Sequence, residues 1–212
     1  MIRIIYKVLT YPMLCIGFIM YFFNLNNIKM DVDKCLKNID ETIYSSIPDS
    51  WLIFLIYAED HRFKKHCGVD FYCILRAVYH TKIKKNYQGA STIQQQYVRV
   101  ITNRYERTLW RKIREQIIAI IITNKINKEI IAKTYLKIAF YGSQQLGLNS
   151  FLKKQKISIT ELDDTKVIEL IARLKYPEPY HHKNKVNWEN KIKRRKQYIL
   201  GRIEKYSLIS KG

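Results

Sequence analysis

The sequence has few of the residues that interrupt regular secondary structure. Seven glycines and four prolines are spread over 212 residues, which is too few for the many tight turns of a β-sandwich or β-barrel. Segments rich in Ile and Lys make up much of the rest. The composition therefore predicts a mainly α-helical protein, and its length suffices for one substantial core.

Acidic residues are also scarce. There are 18 Asp and Glu against 38 Lys and Arg, which gives a net charge of +20 and favours an anionic partner. Nucleic acid, an anionic lipid surface or a pyrophosphate substrate would each account for this charge. The sequence shows no zinc-finger spacing, no RNA-recognition aromatic motif and no basic-zipper heptads, so nucleic-acid binding rests on charge alone.

Cysteine is sparse and shows no zinc-binding pattern. Cys15 lies in an apolar segment, which leaves an odd number of cysteines, Cys35, Cys67 and Cys73, for the rest of the chain. Cys67 follows His66, but such a neighbouring pair rarely has the geometry of a thiol nucleophile and its base. Packing is the favoured interpretation of these cysteines.

An apolar segment without charged residues runs from Val8 to Phe23. Extended by Ile4 to Tyr6, with the Lys7 ammonium reaching toward water, it approaches the length needed to span a bilayer. A cleavable signal peptide is the alternative, but no small-residue cleavage site follows the run. Arg3 and Lys7 favour a cytoplasmic N-terminus, with the body of the chain outside the cytoplasm. The expected divisions are a tail and transmembrane anchor over residues 1–25, a polar connector over 26–47 and a folded domain over 48–206.

A first polar cluster begins where an apolar run ends in two carboxylates. Residues Trp51 to Ala58 are apolar, and Glu59 and Asp60 follow them. A carboxylate at the end of a buried helix suits general acid or base chemistry, although an arbitrary helix end more often meets solvent. The residues that follow favour an active site, because one short loop contains an aromatic side chain, an imidazole, a glycine that allows a tight turn and a residue that can cap a helix. These are Phe63, His66, Gly68 and Asp70.

A helix is predicted to start at Asp70. Its apolar residues recur at helical spacing, which predicts one buried face. The members of that face are Phe71, Ile74, Leu75 and Val78. A loop over residues 80–88 follows, and its tyrosines and lysines suit the headgroup region of a membrane or, equally, a solvated surface.

A second polar cluster precedes another helix. Gly89 and Ala90 lead to Ser91 or Thr92 as the helix cap. The predicted core face consists of Ile93, Tyr97, Val100 and Ile101. A helix start preceded by small residues can hold an anion or sugar oxygens. On its own, the segment better fits an ordinary capped helix with an exposed face rich in glutamine.

A third pattern lies in the predicted helix around Leu109 to Ile122. Its expected buried stripe is Leu109, Ile113, Ile117 and Ile120, and the opposite face carries Arg107, Arg111, Arg114 and Glu115. One carboxylate thus sits in a basic face. Arg111 and Glu115 are also an ordinary i,i+4 pair, worth a few tenths of a kcal/mol, roughly, so the pattern needs support from the other segments. Further helices are expected from Asn127, from Thr160 and over Trp188 to Glu204.

Together these segments resemble the peptidoglycan glycosyltransferases of glycosyltransferase family 51. The family includes monofunctional membrane transglycosylases and the glycosyltransferase domain of class A penicillin-binding proteins, and the resemblance spans roughly Pro48 to Ile203. The family's first motif, E-D-x-x-F-x-x-H-x-G-x-D, is matched by Glu59, Asp60, Phe63, His66, Gly68 and Asp70. The second, G-[GA]-S-T-I-T-Q-Q, is matched by Gly89, Ala90, Ser91, Thr92, Ile93, Gln95 and Gln96. The third, R-K-x-x-E, is matched by Arg111, Lys112 and Glu115. Weaker fourth and fifth matches follow, with Tyr135, Gly147, Pro177 and Arg195 among them.

The resemblance implies a lysozyme-like, two-lobed helical domain that polymerises lipid II into β-1,4-linked glycan strands at a bacterial cell membrane. It implies Glu59 as general base and Glu115 as a second acid that orients the other groups. It also implies that Arg99, Arg111 and Lys112 face the pyrophosphate together with a divalent cation such as Mg²⁺ or Mn²⁺. The full implied substrate-binding set is Asp60, Phe63, His66, Gly89, Ser91, Thr92, Gln95, Gln96, Arg99, Arg111 and Lys112. The implied partners are lipid II, the growing glycan strand, the membrane and other cell-wall synthesis proteins, with no nucleic acid.

Three positions depart from the family pattern. Gln94 stands where Thr is usual, Lys137 replaces the Asn of the Y-L-N motif, and Val100 replaces the Asn after Arg99. A membrane-anchored glycan-binding scaffold of the same fold is therefore one alternative, and a lytic transglycosylase that cleaves glycan is another.

Overall fold

The structure is a computed structural model that describes residues 2–39, 47–85, 89–181 and 185–209. Within these ranges the chain is helical, and its only β-pairing consists of two isolated bridges. The mainly α-helical class is thus confirmed. The α-helices are α1 (Ile2–Phe22), α2 (Ile28–Lys37), α3 (Asp49–Glu59), α4 (Phe71–Lys82), α5 (Ile93–Thr102), α6 (Leu109–Lys125), α7 (Lys128–Ile138), α8 (Leu148–Gln155), α9 (Asp164–Lys175) and α10 (Lys185–Ile209).

The chain divides into two compact units. The first contains residues 1–43 and 62–134, and the second contains residues 44–61 and 135–212. In the first unit, α6 packs against α1, α2 and α5. In the second unit, α3, α9 and α10 pack against one another.

Helix α1 is long and apolar enough to cross a membrane over Arg3–Phe22, as predicted. Much of its apolar surface is exposed, including Val8 and Phe22. The side that faces α6 is narrow at Gly17, where an added Cβ would lie 3.0 Å from Cγ2 of Ile117. A small residue therefore allows these two helices to approach closely.

The predicted connector contains helix α2, which the sequence analysis missed. Ile28, Val32 and Cys35 are fully buried on its inner face, and the Tyr97 hydroxyl donates to the Cys35 carbonyl at 2.6 Å. Half of the ten residues of α2 are charged, so the short apolar stripe did not stand out. Residues 40–46 of the predicted connector lie outside the described residues.

Helix α4 starts as predicted, but its predicted buried face is wrong. The Asp70 carboxylate caps the helix by accepting from the Cys73 amide at 3.1 Å. Leu75 and Val78 are 71% and 54% exposed, whereas Cys73 and Ala77 are buried. The helix therefore packs through its small residues and leaves large ones outside. We call this exposed surface the α4 patch; it consists of Tyr72, Leu75, Val78, Tyr79 and Ile83.

Helix α4 also takes up the start of the predicted basic loop, because it runs to Lys82. Residues 86–88, at the end of that loop, lie outside the described residues. In helix α5, Ile93 and Tyr97 are buried as predicted, whereas Val100 and Ile101 are only half-buried.

The burial pattern of α6 differs from the predicted one in its first half. Ile117 and Ile120 are buried as expected, but Leu109 and Ile113 are 84% and 43% exposed. Arg114 and Glu115, both assigned to the polar face, are buried. Each is buried because an ion pair compensates for its lost hydration.

Helix α8 was not predicted from the sequence. The other predicted helices shift only at their ends. Helix α7 starts at Lys128, one residue after the predicted start. Helix α9 starts at Asp164 and is capped by Asp163, because Ile159–Glu161 forms a separate 3₁₀ turn. Helix α10 begins before Trp188 and continues past Glu204.

Candidate active site

The first unit contains a buried carboxylate that is paired with three cations. The side chain of Glu115 is 2% exposed. Its Oε2 accepts from Arg99 Nε at 2.9 Å and from Arg111 Nη1 at 2.5 Å. Its Oε1 accepts from Arg99 Nη2 at 3.0 Å and from Lys112 Nζ at 2.7 Å. Three positive charges thus share one negative charge, and the cluster keeps an excess of two.

The same cluster joins α6 to the start of α5. Lys112 Nζ donates to Gln95 Oε1 at 2.6 Å and to Ser91 Oγ at 2.9 Å. Arg99 Nη2 also reaches Ser91 Oγ, at 3.2 Å. The segment around Ser91 and the segment around Arg111 are therefore parts of one polar site. Because Ser91, Arg99 and Lys112 are each partly exposed, the site is open to solvent.

The charges within the cluster shift the pKa values of two of its members. Burial alone would raise the pKa of Glu115, but the hydrogen bonds and charges of Arg99 and Lys112 outweigh it and hold this pKa below its usual value. For Lys112, burial lowers the pKa, and the Glu115 charge only partly offsets that effect. The lowered pKa keeps Glu115 ionised at neutral pH, so its negative charge is present among the three cations.

The loop before α4 is held against the helices of the first unit by Gly68. Its φ is +95°, and an added Cβ would lie 2.7 Å from the Ala119 carbonyl oxygen. Thr92 caps α5 by accepting from the Gln95 amide, and its hydroxyl donates to the Gly68 carbonyl at 2.6 Å. The cap of α5 therefore ties the first polar cluster to the second.

Phe63 and His66 have structural contacts in this loop. Both are 2% exposed, and His66 Nδ1 accepts from the Gly68 amide at 3.2 Å. Lys128 donates to the carbonyl of Phe63 and, at 2.9 Å, to that of His66. These contacts shape the loop; neither ring belongs to the Glu115 cluster.

Asp70 has partners that the sequence did not reveal. Arg62 Nε donates to its Oδ2 at 2.9 Å, and the Tyr6 hydroxyl donates to its Oδ1 at 2.5 Å. Arg62 also donates to Tyr6. Because Tyr6 lies in the apolar N-terminal helix, about 60 residues away, no local pattern could have predicted this contact.

In the second unit, Glu59 ends helix α3 as predicted and pairs with Arg195. Arg195 Nη2 lies 2.7 Å from Glu59 Oε1 and also donates to the Ala58 carbonyl at 2.6 Å. The Glu59 side chain remains 13% exposed. Arg195 belongs to the fifth motif, but 136 residues separate it from Glu59, so no local pattern predicts their contact.

The sequence of the chain matches a known protein family. A family model described as Transglycosylase matches residues 32–204. The chain belongs to the transglycosylase family. The matched range covers every residue of the Glu115 cluster as well as Glu59 and Arg195.

Individual relatives support the same assignment. A penicillin-binding protein 1A of Rickettsia felis is 32% identical over 176 residues, which cover 79% of this chain and 21% of the relative. A monofunctional glycosyltransferase of Staphylococcus saprophyticus is 35% identical over 128 residues, or 58% of this chain and 47% of the relative. A biosynthetic peptidoglycan transglycosylase of Nitrosospira multiformis is 28% identical over 157 residues, which cover 73% of this chain and 66% of the relative. The chain spans less than half the length of the first two relatives.

Several positions that the transglycosylase motifs singled out lie outside the Glu115 cluster. Gly89 is exposed and Gln96 is half-buried, while Asp60 is buried in the second unit. Gln94, where the motif usually has Thr, is fully buried, and neither of its amide atoms has a hydrogen-bond partner in the described part of the chain. Lys137 and Val100 are half-buried.

The Glu115 site does not fit the divalent cation that the motifs imply. Both oxygens of its one carboxylate are engaged by cations, and their positive charges would repel a metal ion. Across residues 2–39, 47–85, 89–181 and 185–209, no group of three or more His, Cys, Asp or Glu side chains is arranged to hold a metal. The cations of the protein itself are the groups available to meet an anion.

Proposed function

We propose that this chain is a peptidoglycan glycosyltransferase that polymerises lipid II into β-1,4-linked glycan. The observation that carries the proposal is the Glu115 cluster, in which Arg99, Arg111 and Lys112 converge on a single carboxylate. The relatives from Staphylococcus and Nitrosospira, a monofunctional glycosyltransferase and a biosynthetic peptidoglycan transglycosylase, support the same chemistry. The growing glycan strand is the second substrate, and other cell-wall synthesis proteins are proposed partners.

The cluster suits a leaving group that becomes more negative as the reaction proceeds. When the bond between the sugar anomeric carbon and the pyrophosphate breaks, the bonding electrons pass to the phosphate oxygen. Fixed cations stabilise that charge without reorganising, and this is the largest contribution in many enzymes. Glu115 holds Arg99 and Lys112 in place, so its role is positioning.

Glu59 is the proposed general base. The 4-hydroxyl of the acceptor sugar attacks the anomeric carbon of the donor, and Glu59 takes the hydroxyl proton as the new bond forms. Lipid pyrophosphate departs from the opposite face, so an α-linked donor gives a β-linked product, as in inverting glycosidases. Arg195 orients the Glu59 carboxylate through the 2.7 Å contact.

We place this reaction at the bacterial cell membrane, with α1 across the membrane and the helices that follow it on the extracytoplasmic side. Support comes from the apolar helix α1 and from the α4 patch, whose exposed Leu75 and Tyr79 are followed by the basic residues Lys82 and Lys84. In the structure, Arg3 of α1 donates to the Lys64 carbonyl at 3.0 Å, and the Tyr6 hydroxyl is bonded to Asp70 and Arg62. A spanning α1 would release all of these contacts. A protease-sensitive tag before Met1 should be protected in sealed, right-side-out cells; cleavage of the tag there would reverse the assignment.

The test of function is incubation of the purified full chain with labelled lipid II in detergent, beside Glu59→Gln. Wild type should form polymer and release lipid pyrophosphate, while Glu59→Gln should be slower by about a hundredfold or more, since general bases contribute 10²–10⁴, roughly. Absence of polymer from folded wild type, across detergents and added metals, would favour a scaffold. Release of fragments from preformed glycan would instead indicate a lytic enzyme.

A further inference from the structure

The second unit contains a polar groove that none of the motifs describes. Helix α10 forms one wall of this cavity of about 680 Å³, and Glu169, Arg173 and Glu178 form the other. The α10 residues of the wall recur on one helical face, from Trp188 to Leu200. A cavity of this size falls in the range that holds a ligand of a few rings.

Arg173 is fixed at the base of the groove. It is 5% exposed and lies between the rings of Phe151 and Trp188, 5.2 and 5.0 Å from their centres. Its Nη2 donates to Glu169 at 3.0 Å and its Nη1 to Glu178 at 2.9 Å. A guanidinium held by two rings and two carboxylates gives the groove a rigid floor.

Trp188 is also fixed in one orientation. Its Nε1 donates to the Tyr176 carbonyl at 2.8 Å, so the plane of the indole is set. The same indole borders a second cavity of about 430 Å³, which Tyr176 and Pro177 also line. A ligand that extends through both cavities would therefore contact the Trp188 ring.

The polar groups of the groove indicate what class of ligand fits. Carboxylates, amides and cations are mixed around the indole, and the lining charges nearly cancel. They are Glu169, Glu178, Glu189, Gln155, Gln197, Arg173, Lys185, Lys193 and Lys196. A simple anion would need a clearer excess of positive charge, and an apolar ligand would leave these groups unpaired. Sugar hydroxyls both donate and accept hydrogen bonds, and the apolar face of a sugar ring packs on an indole.

We propose that this groove binds an oligosaccharide of N-acetylated amino sugars, as a secondary glycan site beside Trp188. The inference rests on the proposed function for the identity of the natural ligand, the growing strand. The groove would hold the strand some distance along its length and so keep product bound between additions. Glu59 and Arg195 are not among its lining residues.

The first test measures binding separately from catalysis. The full chain, ¹⁵N-labelled in micelles, is titrated with soluble N-acetylglucosamine tetramer while the indole N–H signals of its three tryptophans are followed. The Trp188 signal, assigned from Trp188→Phe, should shift in a saturable way, whereas that of buried Trp51 should not. Glu189→Ala should weaken this binding by about tenfold, as expected for one lost hydrogen bond to a charged group. Asn190→Ala, an exposed neighbour outside the groove, should leave it unchanged.

The second test follows the product of polymerisation. Trp188→Ala should shorten the glycan strands while the first addition keeps its rate; Trp110→Ala, which removes an exposed tryptophan of the first unit, should keep the strand length. No saturable shift at Trp188, or equal effects of Glu189→Ala and Asn190→Ala, would overturn the glycan site. Binding without polymerisation would support the groove and count against the proposed function, so the two failures can be told apart.

Discussion

Arg99 contacts both carboxylate oxygens of Glu115, with Nε 2.9 Å from Oε2 and Nη2 3.0 Å from Oε1. This two-point contact joins helix α5 to helix α6 and leaves the Arg99 side chain 27% exposed. A bidentate pair fixes direction as well as distance. The positive surplus of the site is therefore held in place before any ligand arrives.

Replacement of Glu115 by Gln should destabilise the first unit by about 3 kcal/mol at neutral pH, because three cations would lose their counter-charge. The pKa of Glu115 lies below its usual value. The stabilising effect of the carboxylate is thus complete above the unfolded-state pKa of about 4.3 and is lost as the pH falls through the lower folded-state pKa. Urea unfolding of both proteins between pH 3 and 7 should show a stability difference that shrinks only at the acidic end. A difference independent of pH would contradict this role for the charge.

Gly68→Ala should cost about 2 kcal/mol or more, since the positive φ and the Ala119 carbonyl leave no place for a Cβ. Gly201→Ala is the control. It lies in helix α10 with no atom within 4 Å of an added Cβ, so alanine should raise stability slightly through its helix propensity. Thermal unfolding of the two variants measures the contrast, and equal midpoints would disprove the strain at Gly68.

The buried ion pair between Arg114 of α6 and Asp31 of α2 should contribute much of the stability of the contact between these two helices. Arg114 Nη2 lies 2.5 Å from Asp31 Oδ2, and both side chains are almost fully buried. Arg114→Met should therefore lower the free energy of unfolding by about 3 kcal/mol. Arg104 contacts the same carboxylate at 3.5 Å but is 39% exposed, so Arg104→Met should cost less than about 1 kcal/mol. If the two variants unfolded at the same denaturant concentration, α2 would not depend on the buried pair.

Cys73 should be nearly inert toward alkylating reagents in the folded protein. Burial, together with the hydrogen bond and charge of Asp70, raises its pKa to about 12. Only the thiolate reacts, so alkylation at pH 8 should be slower than in the unfolded chain by at least a hundredfold, roughly. Mass spectrometry of timed iodoacetamide reactions measures this rate, with the half-buried Cys67 as internal reference. If Cys73 were alkylated as fast as Cys67, the predicted low reactivity of Cys73 would be disproved.

The sequence predicted those parts of the protein that local pattern controls. The ends of α3 and the caps of α4 and α5 depend on adjacent residues, and Asp70 and Thr92 perform the predicted capping. The grouping of Arg99, Arg111 and Lys112 with Glu115 came from the family resemblance, and the structure brings these four side chains together.

The predictions of buried helix faces were wrong where residues distant in sequence determine which face is buried. The large apolar residues of α4 share a helical face, yet the helix packs through Cys73 and Ala77. Hydrophobic spacing defines faces but does not say which face finds a partner. Arg114 and Glu115 were assigned to the polar face because charged residues rarely lie inside. Arg114 pairs with Asp31 of α2, and Glu115 pairs with Arg99 of α5 in addition to two cations of its own helix, and no local pattern predicts the contacts with α2 and α5.

The most direct test of the proposed role of the Glu115 cluster compares two arginines near the start of α6. Arg111 contacts Glu115 at 2.5 Å, whereas Arg107 is exposed and lies outside the cluster. With labelled lipid II, Arg111→Met should reduce kcat/KM for polymerisation by about a hundredfold or more, as expected for the loss of one fixed charge on the leaving group. Arg107→Met, which removes the same charge, should stay within about threefold of wild type, since exposed charges contribute little. Equal rates in the two variants would contradict the claim that the Glu115 cluster holds the pyrophosphate.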